Sequence, residues 1–263
     1  CTLFSATIPQ TVKSLAREFQ RPSAEFLSLS YDKVIANNLT HRYYCCDVME
    51  KDSLTVKILE WENPSSCMIF CNMKRDVSYL EQVLTNHGFN VAALSGDVAQ
   101  KLRERTLENF RKQKINILIC TDVAARGIDV SHVTHVIVYD HPEDKEVYVH
   151  RSGRTARAGK EGVAISLITP VEEIELQKTA ADFGIQFEKM PPITDEMLTN
   201  RLQERLLDSL EREKRNIRPL DKARLERFIP LVEEMAKDQD QKETLAMLLD
   251  QYLKKQKGNH GKN

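Results

Sequence analysis

Apolar residues along this chain switch between short unbroken runs and helical stripes. Residues 41–48 (HRYYCCDV), 66–71 (SCMIFC), 90–94 (NVAAL), 115–120 (INILIC), 134–139 (THVIVY) and 162–168 (GVAISLI) are short runs rich in branched, aromatic or thiol side chains. Such runs predict strands, and a continuous one such as SCMIFC predicts a parallel strand buried on both faces. Between them, Lys51 to Glu60, Arg75 to Thr85, Ala99 to Phe110 and Glu172 to Phe183 carry helical spacing. In the second of these Val77, Leu80, Val83 and Leu84 fall on one face, and Gly88 follows as a stop. Thr169-Pro170 supplies an N-cap and first-turn pair for the last one. This alternation predicts an α/β fold, a doubly wound parallel sheet over residues 37–190, whose ligands meet loops at the strand carboxyl ends.

The flanks differ in character. Pro9 to Gln20 predicts a helix with Val12, Leu15, Ala16 and Phe19 on one stripe, leading into an extended exit at 21–30. Beyond residue 190 the pattern predicts an all-helical extension over 191–255. Leu198, Leu202, Leu206 and Leu210 form one stripe there, with the acid-before-base pairs Asp208/Arg212 and Glu211/Arg215 at i,i+4. Leu225, Phe228, Ile229, Val232 and Met235 form a second, which Pro230 must kink or split. Leu245, Leu248, Leu249, Tyr252 and Leu253 form a third. Amphipathic helices need a surface to cover, either their own domain or a partner chain. The basic residues 256–263 are expected to be a disordered tail.

Composition narrows the classes. With 263 residues, 41% of them hydrophobic, the chain can bury a core. A formal net charge of -1 gives no global attraction to nucleic acid, so any such site must be a local patch. No apolar run approaches a membrane span and no signal-peptide pattern opens the chain, so no membrane partner and a cytoplasmic location are expected. Six cysteines without Cys-x-x-Cys spacing read as buried reduced thiols, and no metal-ligand set is expected. The opening CTLFSAT reads as a strand and a polar turn without an initiating Met, the expectation for a piece of a longer chain.

Chemistry concentrates in a few loops. Arg151, Arg154 and Arg157 recur every third residue, beside Gly153 and Gly159. On a helix this spacing gives one face of guanidiniums, matched to phosphate oxygens; pairing with structural carboxylates is the alternative. Gly96-Asp97 precede Gln100 and Arg103, which share a face at i and i+3 of a helix start. That is either a phosphate site at a helix N-terminus or ordinary helix initiation by Asp97. After the run INILIC, Thr121 offers a hydroxyl and an N–H to a single-strand phosphate, Gly127 allows close backbone approach, and Asp129 suits a ribose hydroxyl.

Together these stretches carry a family resemblance. His150-Arg151 to Arg157 is similar to motif VI of superfamily-2 helicases, in the His-led form of DEAD-box RNA helicases. Thr121 to Asp129 (TDVAARGID) resembles their motif V at every characteristic position, and 96–103 (GDVAQKLR) resembles the motif that holds the RNA backbone. Asn72-Met73-Lys74-Arg75 is similar to motif IV, with Met73 where the family has Thr. Ser5-Ala6-Thr7 resembles motif III. Ser152 and Ala156 stand where the family commonly has Ile and Gly.

The resemblance covers Ser5 to about Phe183 and implies the following. Residues 1–36 would end a first helicase domain and link to a second RecA-like domain at 37–190. Arg154 and Arg157 would act as arginine fingers on the γ-phosphate of ATP, with Gly127 and Asp129 at the nucleotide. Asn72, Gly96, Gln100, Arg103 and Thr121 would hold RNA by its backbone, with little sequence preference. Ser5, Thr7, Asp122, His150 and Arg151 would couple the domains, Arg151 as an organiser paired with an acid such as Asp122. The sequence contains neither the Gly-x-x-x-x-Gly-Lys phosphate loop nor Asp-Glu-Ala-Asp, so an N-terminal helicase domain would supply the ATP cradle and Mg2+. The chain alone is expected to be inactive. Some bacterial cold-shock members carry a dimerisation segment after this domain, so a homodimer through 195–255 is expected. A DNA translocase of the superfamily, or a non-enzymatic RNA-binding scaffold, are the alternatives.

Overall fold

The computed structural model describes residues 10–21, 24–25, 38–125 and 132–259. Helix α1 (Gln10–Phe19) precedes the domain. The domain then runs β1 (Leu39–Cys45), α2 (Lys51–Glu62), β2 (Cys67–Phe70), α3 (Lys74–Asn86), β3 (Val91–Leu94), α4 (Gln100–Arg111), β4 (Ile117–Cys120), α5 (Asp122–Ala125) and β5 (His135–Val138). It continues through α6 (Lys145–Ser152), β6 (Gly162–Ile168), α7 (Glu172–Phe183) and β7 (Phe187–Lys189). Helices α8 (Asp195–Arg215), α9 (Pro219–Glu226), α10 (Ile229–Met235) and α11 (Gln239–Asn259) follow.

Seven strands form one sheet in the order β3-β4-β2-β5-β6-β1-β7, and every adjacent pair is parallel. The expected doubly wound sheet is present. Its strands read as continuous apolar runs because both faces are covered. Successive residues point to opposite sides, and this splits the core in two. Ile69, Ile119, Ile137 and Ile165 meet Ile58, Leu59, Leu80 and Leu84 from α2 and α3 on one face. Met68, Phe70, Leu118 and Val136 meet Phe110 of α4 and Tyr148 of α6 on the other. Strand β7 was not foreseen. Its three residues, Phe-Glu-Lys, are too few and too polar to register as a run, and only pairing with β1 makes them a strand.

The N-cap of α7 is Val171, two residues after the expected Thr169, yet Thr169 and Glu172 bond reciprocally across the helix start. Glu172 Oε2 accepts from the Thr169 N–H at 2.7 Å, and Thr169 Oγ1 accepts from the Glu172 N–H at 3.4 Å. Cys67, Cys71 and Cys120 are buried free thiols, with Cys45 and Cys46 partly buried. Burial pushes the Cys46 thiol up to about 11 and Cys120 to about 12, so neither is a thiolate near neutral pH. Among the described residues no helix is long and apolar enough to cross a membrane.

Helix α8 begins on the domain and leaves it. Thr194 Oγ1 caps it by accepting from the Met197 N–H at 3.2 Å. Leu198 is buried in the core, and Leu202 packs against it. Lys57 pairs with Asp195 at 2.7 Å, Arg201 lies over the Trp61 ring, and the Arg205 guanidinium donates to the carbonyls of Glu60 and Trp61. Farther along, Leu207, Leu220, Leu225, Phe228, Ile229 and Leu248 are exposed. Pro230 does split the second stripe, standing in the first turn of α10. Helix α11 reaches Asn259, so the stretch expected to be a disordered tail from residue 256 opens as helix.

One buried titratable group makes the fold sensitive to acid. His41 of β1 packs between Tyr148 and Phe187, with its Nδ1 2.7 Å from the Tyr148 hydroxyl. Burial lowers its pKa from 6.5 to about 4. As pH falls below 6.5 the unfolded chain takes up a proton that the folded one refuses, so stability drops until about pH 4. One such proton is worth about 1.4 kcal/mol per pH unit in that window. Urea unfolding at pH 7 and pH 5 should show this loss, and His41→Gln should shrink the difference between the two pH values; an unchanged difference would refute the assignment.

Candidate functional site

The site is built around one buried guanidinium. Helix α6 is started by Asp144, whose Oδ1 accepts from the Glu146 N–H at 2.9 Å, and its last turn carries Arg151 inward. Arg151 is 2% exposed. Its Nε and Nη2 donate to the two carboxylate oxygens of Asp122 at 2.8 and 2.7 Å. Its Nη1 donates to the Asp140 carbonyl at 2.6 Å, and Nη2 also donates to Asn72 Oδ1 at 2.6 Å. The guanidinium sits 5.6 Å from the Phe70 ring centroid. Residues following β2, β4 and β5 thus meet on a planar fork that only Arg provides. The expected Arg151–Asp122 pair is present.

This same network occupies Asn72. Its N–H donates to Asp140 Oδ2 at 3.0 Å, its Nδ2 to the His141 carbonyl at 3.1 Å, and its Oδ1 accepts from Arg151. The carboxamide expected at RNA bonds to the neighbouring strand ends, while the residue itself is exposed to solvent.

The three arginines do not share a helical face, which corrects the expectation from their spacing. Helix α6 stops at Ser152, Arg154 lies in the turn beyond, and Ala156 adopts φ 57° and ψ 31° before a 3-10 turn over Arg157–Gly159. A left-handed residue resets the chain direction, so i and i+3 no longer align. An L-residue there costs about 1–2 kcal/mol, which is why glycine suits this position. Arg154 is half-buried, and burial first and the Arg157 charge second lower its pKa. The Asp122 charge acts in the opposite direction and favours the charged form of Arg154. Arg157 Nε donates to the Gly153 carbonyl at 3.0 Å.

Two contacts pin this turn from below. The buried Thr155 hydroxyl lies 2.7 Å from the Val133 carbonyl and 3.0 Å from that of Thr134. Gly162, at the start of β6, passes so close that an added Cβ would lie 2.4 Å from Thr155 Oγ1 and 2.6 Å from the Ala156 nitrogen. Sequence reasoning missed Gly162, because its constraint lies in a neighbouring strand. It also missed Asp140, although an acid directly after a strand was a signal that could have been followed.

The remaining expected residues are placed as follows. Thr121 is buried, and its carbonyl accepts from the Ala125 N–H at 3.0 Å, opening α5. Helix α4 starts at Gln100 with Ala99 as its N-cap and no side-chain cap. Asp97 pairs with Lys74 instead, so helix initiation by Asp97 is excluded. Gln100 donates to Glu104 at 2.8 Å, and Arg103 donates to the Ala124 carbonyl at 3.0 Å, tying α4 to α5. Gly96 is uncrowded, with Val123 Cγ1 3.9 Å from a built Cβ. His150 is exposed on α6. Ser5, Thr7, Gly127 and Asp129 lie outside the described residues.

Residues 50–159 match the family model described as helicase conserved C-terminal domain. The chain also superposes on E. coli DEAD-box protein SrmB, crystallised with the regulator of ribonuclease activity A. The TM-score is 0.56 at 32% identity, covering 60% of this chain and 93% of that one. This chain belongs to the DEAD-box helicase family. DEAD-box ATP-dependent RNA helicase CshA of Geobacillus kaustophilus is 36% identical over 215 residues, covering 80% of this chain and 46% of that protein. RhpA of Helicobacter pylori is 32% identical, covering 77% and 41%. S. cerevisiae Dbp5 bound to RNA and ADP BeF3 aligns at TM-score 0.67 and 30% identity, over 76% of this chain and 54% of that one. The chain spans about half the length of the curated relatives it matches, and it carries the C-terminal RecA-like domain of the DEAD-box family.

The Gly162 contact yields a test. Gly162→Ala should force the Thr155–Ala156 backbone to move, at a cost of about 1–3 kcal/mol of stability, the usual range for overpacking. A urea midpoint equal to wild type would show that the turn yields without strain.

Proposed function

We propose that the full protein is an RNA-stimulated ATPase that remodels RNA, and that this domain supplies the arginine half of its active site. One observation carries the reading: a buried Arg151, bonded to Asp122, Asp140 and Asn72, fixes the helix end directly after which Arg154 and Arg157 stand. A terminal phosphate fits a pair of guanidiniums, whose fixed donors match its oxygens. ATP is the substrate on this reading. Arg154 and Arg157 stabilise charge developing on the γ-phosphate, Gly127 and Asp129 face the nucleotide, and a first RecA-like domain holds the phosphates and Mg2+. RNA runs past Gln100, Arg103 and Thr121 at the strand ends, contacted through its sugar-phosphate backbone, with Asn72 bracing that rim. Ser5, Thr7, Asp122 and His150 join the two domains when the cleft closes.

In support, CshA and RhpA are ATP-dependent RNA helicases by name, and Dbp5 was crystallised with RNA and a nucleotide analogue. Free thiols suit a reducing compartment, here the cytoplasm. Arg154→Ala or Arg157→Ala in the full protein should lower kcat by about 10³–10⁵ while ATP binding persists, the range for arginine fingers. RNA-stimulated ATPase with parallel nucleotide titration measures both; near-normal turnover in either variant refutes the roles.

A second part of the reading concerns assembly. The exposed apolar side chains of α9 to α11, Leu225, Phe228, Ile229, Val232 and Leu248 among them, form faces that the domain leaves uncovered. A symmetric pairing of two chains would bury the same faces on each and give the enzyme two RNA-binding units. Light scattering at micromolar concentration should give a dimer mass for the chain and a monomer mass once residues beyond 215 are removed. A monomer in both cases rules the pairing out.

A further inference from the structure

Lys51 has no part in the site as described, yet it is buried at the first turn of α2. Its side chain is 5% exposed. The ammonium lies 3.8 Å from Asp140 Oδ1, 3.7 Å from Glu172 Oε2 and 5.9 Å from the Tyr139 ring centroid. A cation at a helix N-terminus opposes the helix dipole, and burying it costs solvation, so fold stability is a poor reason for its presence. The two carboxylates differ in what else they hold. Glu172 is committed to the start of α7, accepting from the Thr169 N–H and hydroxyl at 2.7 and 2.9 Å. Asp140 is committed to the arginine site: its Oδ2 accepts from the Asn72 N–H, and its carbonyl accepts from Arg151.

These contacts form a continuous line from Lys51 through Asp140 and Asn72 to Arg151, reinforced by the direct Asp140–Arg151 bond. We propose that Lys51 is a positioning residue for the arginine site, holding the Asp140 carboxylate so that Asp140 and Asn72 together set the Arg151 guanidinium. Burial acts to raise the Asp140 pKa, with the Asn72 N–H and the Lys51 charge acting against it. Without Lys51, Asp140 is a half-buried carboxylate left with a backbone amide and the Arg151 charge on one side and the acid Asp76 on the other, and it relieves this by protonating or turning away. Either change loosens Asn72, and Arg151 loses one of its three partners. Lys51 touches neither ATP nor RNA on this reading, so its removal acts on the rate step rather than on substrate binding.

The proposal rests on the ATPase reading, and its test carries one measurement that does not. In the full-length protein, Lys51→Met should lower kcat of RNA-stimulated hydrolysis by about 10- to 100-fold, the scale of a small misplacement in a catalytic array, with KM for ATP unchanged. Lys51→Arg should restore most of it. In spectra of protein labelled with 15N-arginine, the Arg151 Nε–H resonance, identified by its loss in Arg151→Lys, should shift or broaden in Lys51→Met and return in Lys51→Arg. Glu172→Gln, which leaves Asp140 in place, should leave that resonance where it is. Should Lys51→Met not fold, the isosteric Asp140→Asn carries the same expectations for rate and resonance. A folded Lys51→Met with wild-type kcat and an unmoved Arg151 resonance overturns the proposal. A wild-type protein without RNA-stimulated turnover overturns the ATPase reading instead, and the resonance comparison then decides the positioning role alone.

Discussion

The Arg151 guanidinium is the interaction on which the rest of the site depends. Three parallel strands end side by side in this sheet, and nothing in the ladder itself fixes the loops that leave them. A planar buried fork, four of whose five donors go to Asp122, Asp140 and Asn72, fixes all three at once. Such burial adds little net stability, since desolvating the charge offsets much of the attraction. What it contributes is geometry. Breaking it would leave groups in the interior without partners, a steep penalty for any other arrangement of the strand ends.

Much of the fold was legible because parallel strands buried on both faces are continuous apolar runs, and each helix between them shows its own stripe. The elements that were not legible depend on neighbours rather than on themselves. β7 is a strand only because β1 offers it an edge, and the Gly162 requirement comes from Thr155 and Ala156 in another turn. The candidate site was legible as residue types, and the Arg151–Asp122 pair came from the family resemblance. The arrangement of the arginines was not, because spacing by three implies a common face only while the helix continues. Gly153 and the left-handed Ala156 end that condition. Asn72 shows a further limit: a polar residue at a strand end reads the same whether its amide faces a ligand or a neighbouring loop.

The domain also divides its two tasks between different ends of its connections. The Thr155 hydroxyl and Gly162 anchor the arginine turn near the amino ends of β5 and β6, while Arg151 anchors the preceding helix at the carboxyl ends of β2, β4 and β5. Arg154 lies between these two anchors. The side chains at the centre of the two anchors, Arg151 and Thr155, are both buried.

Helix α2 has a mechanical consequence. At its carboxyl end the carbonyls of Glu60 and Trp61 are gripped by Arg205, and at its amino end stands Lys51, beside Asp140. Twelve helical residues make a strut of about 18 Å. Helix α8, with 21 residues, is about 31 Å long and is bonded to α2 from its first residue, Asp195, to its middle, at Arg205. The two helices are thus held together at the carboxyl end of α2, the end away from Lys51. The extension and the arginine site thus have a common neighbour in α2, although they share no residue.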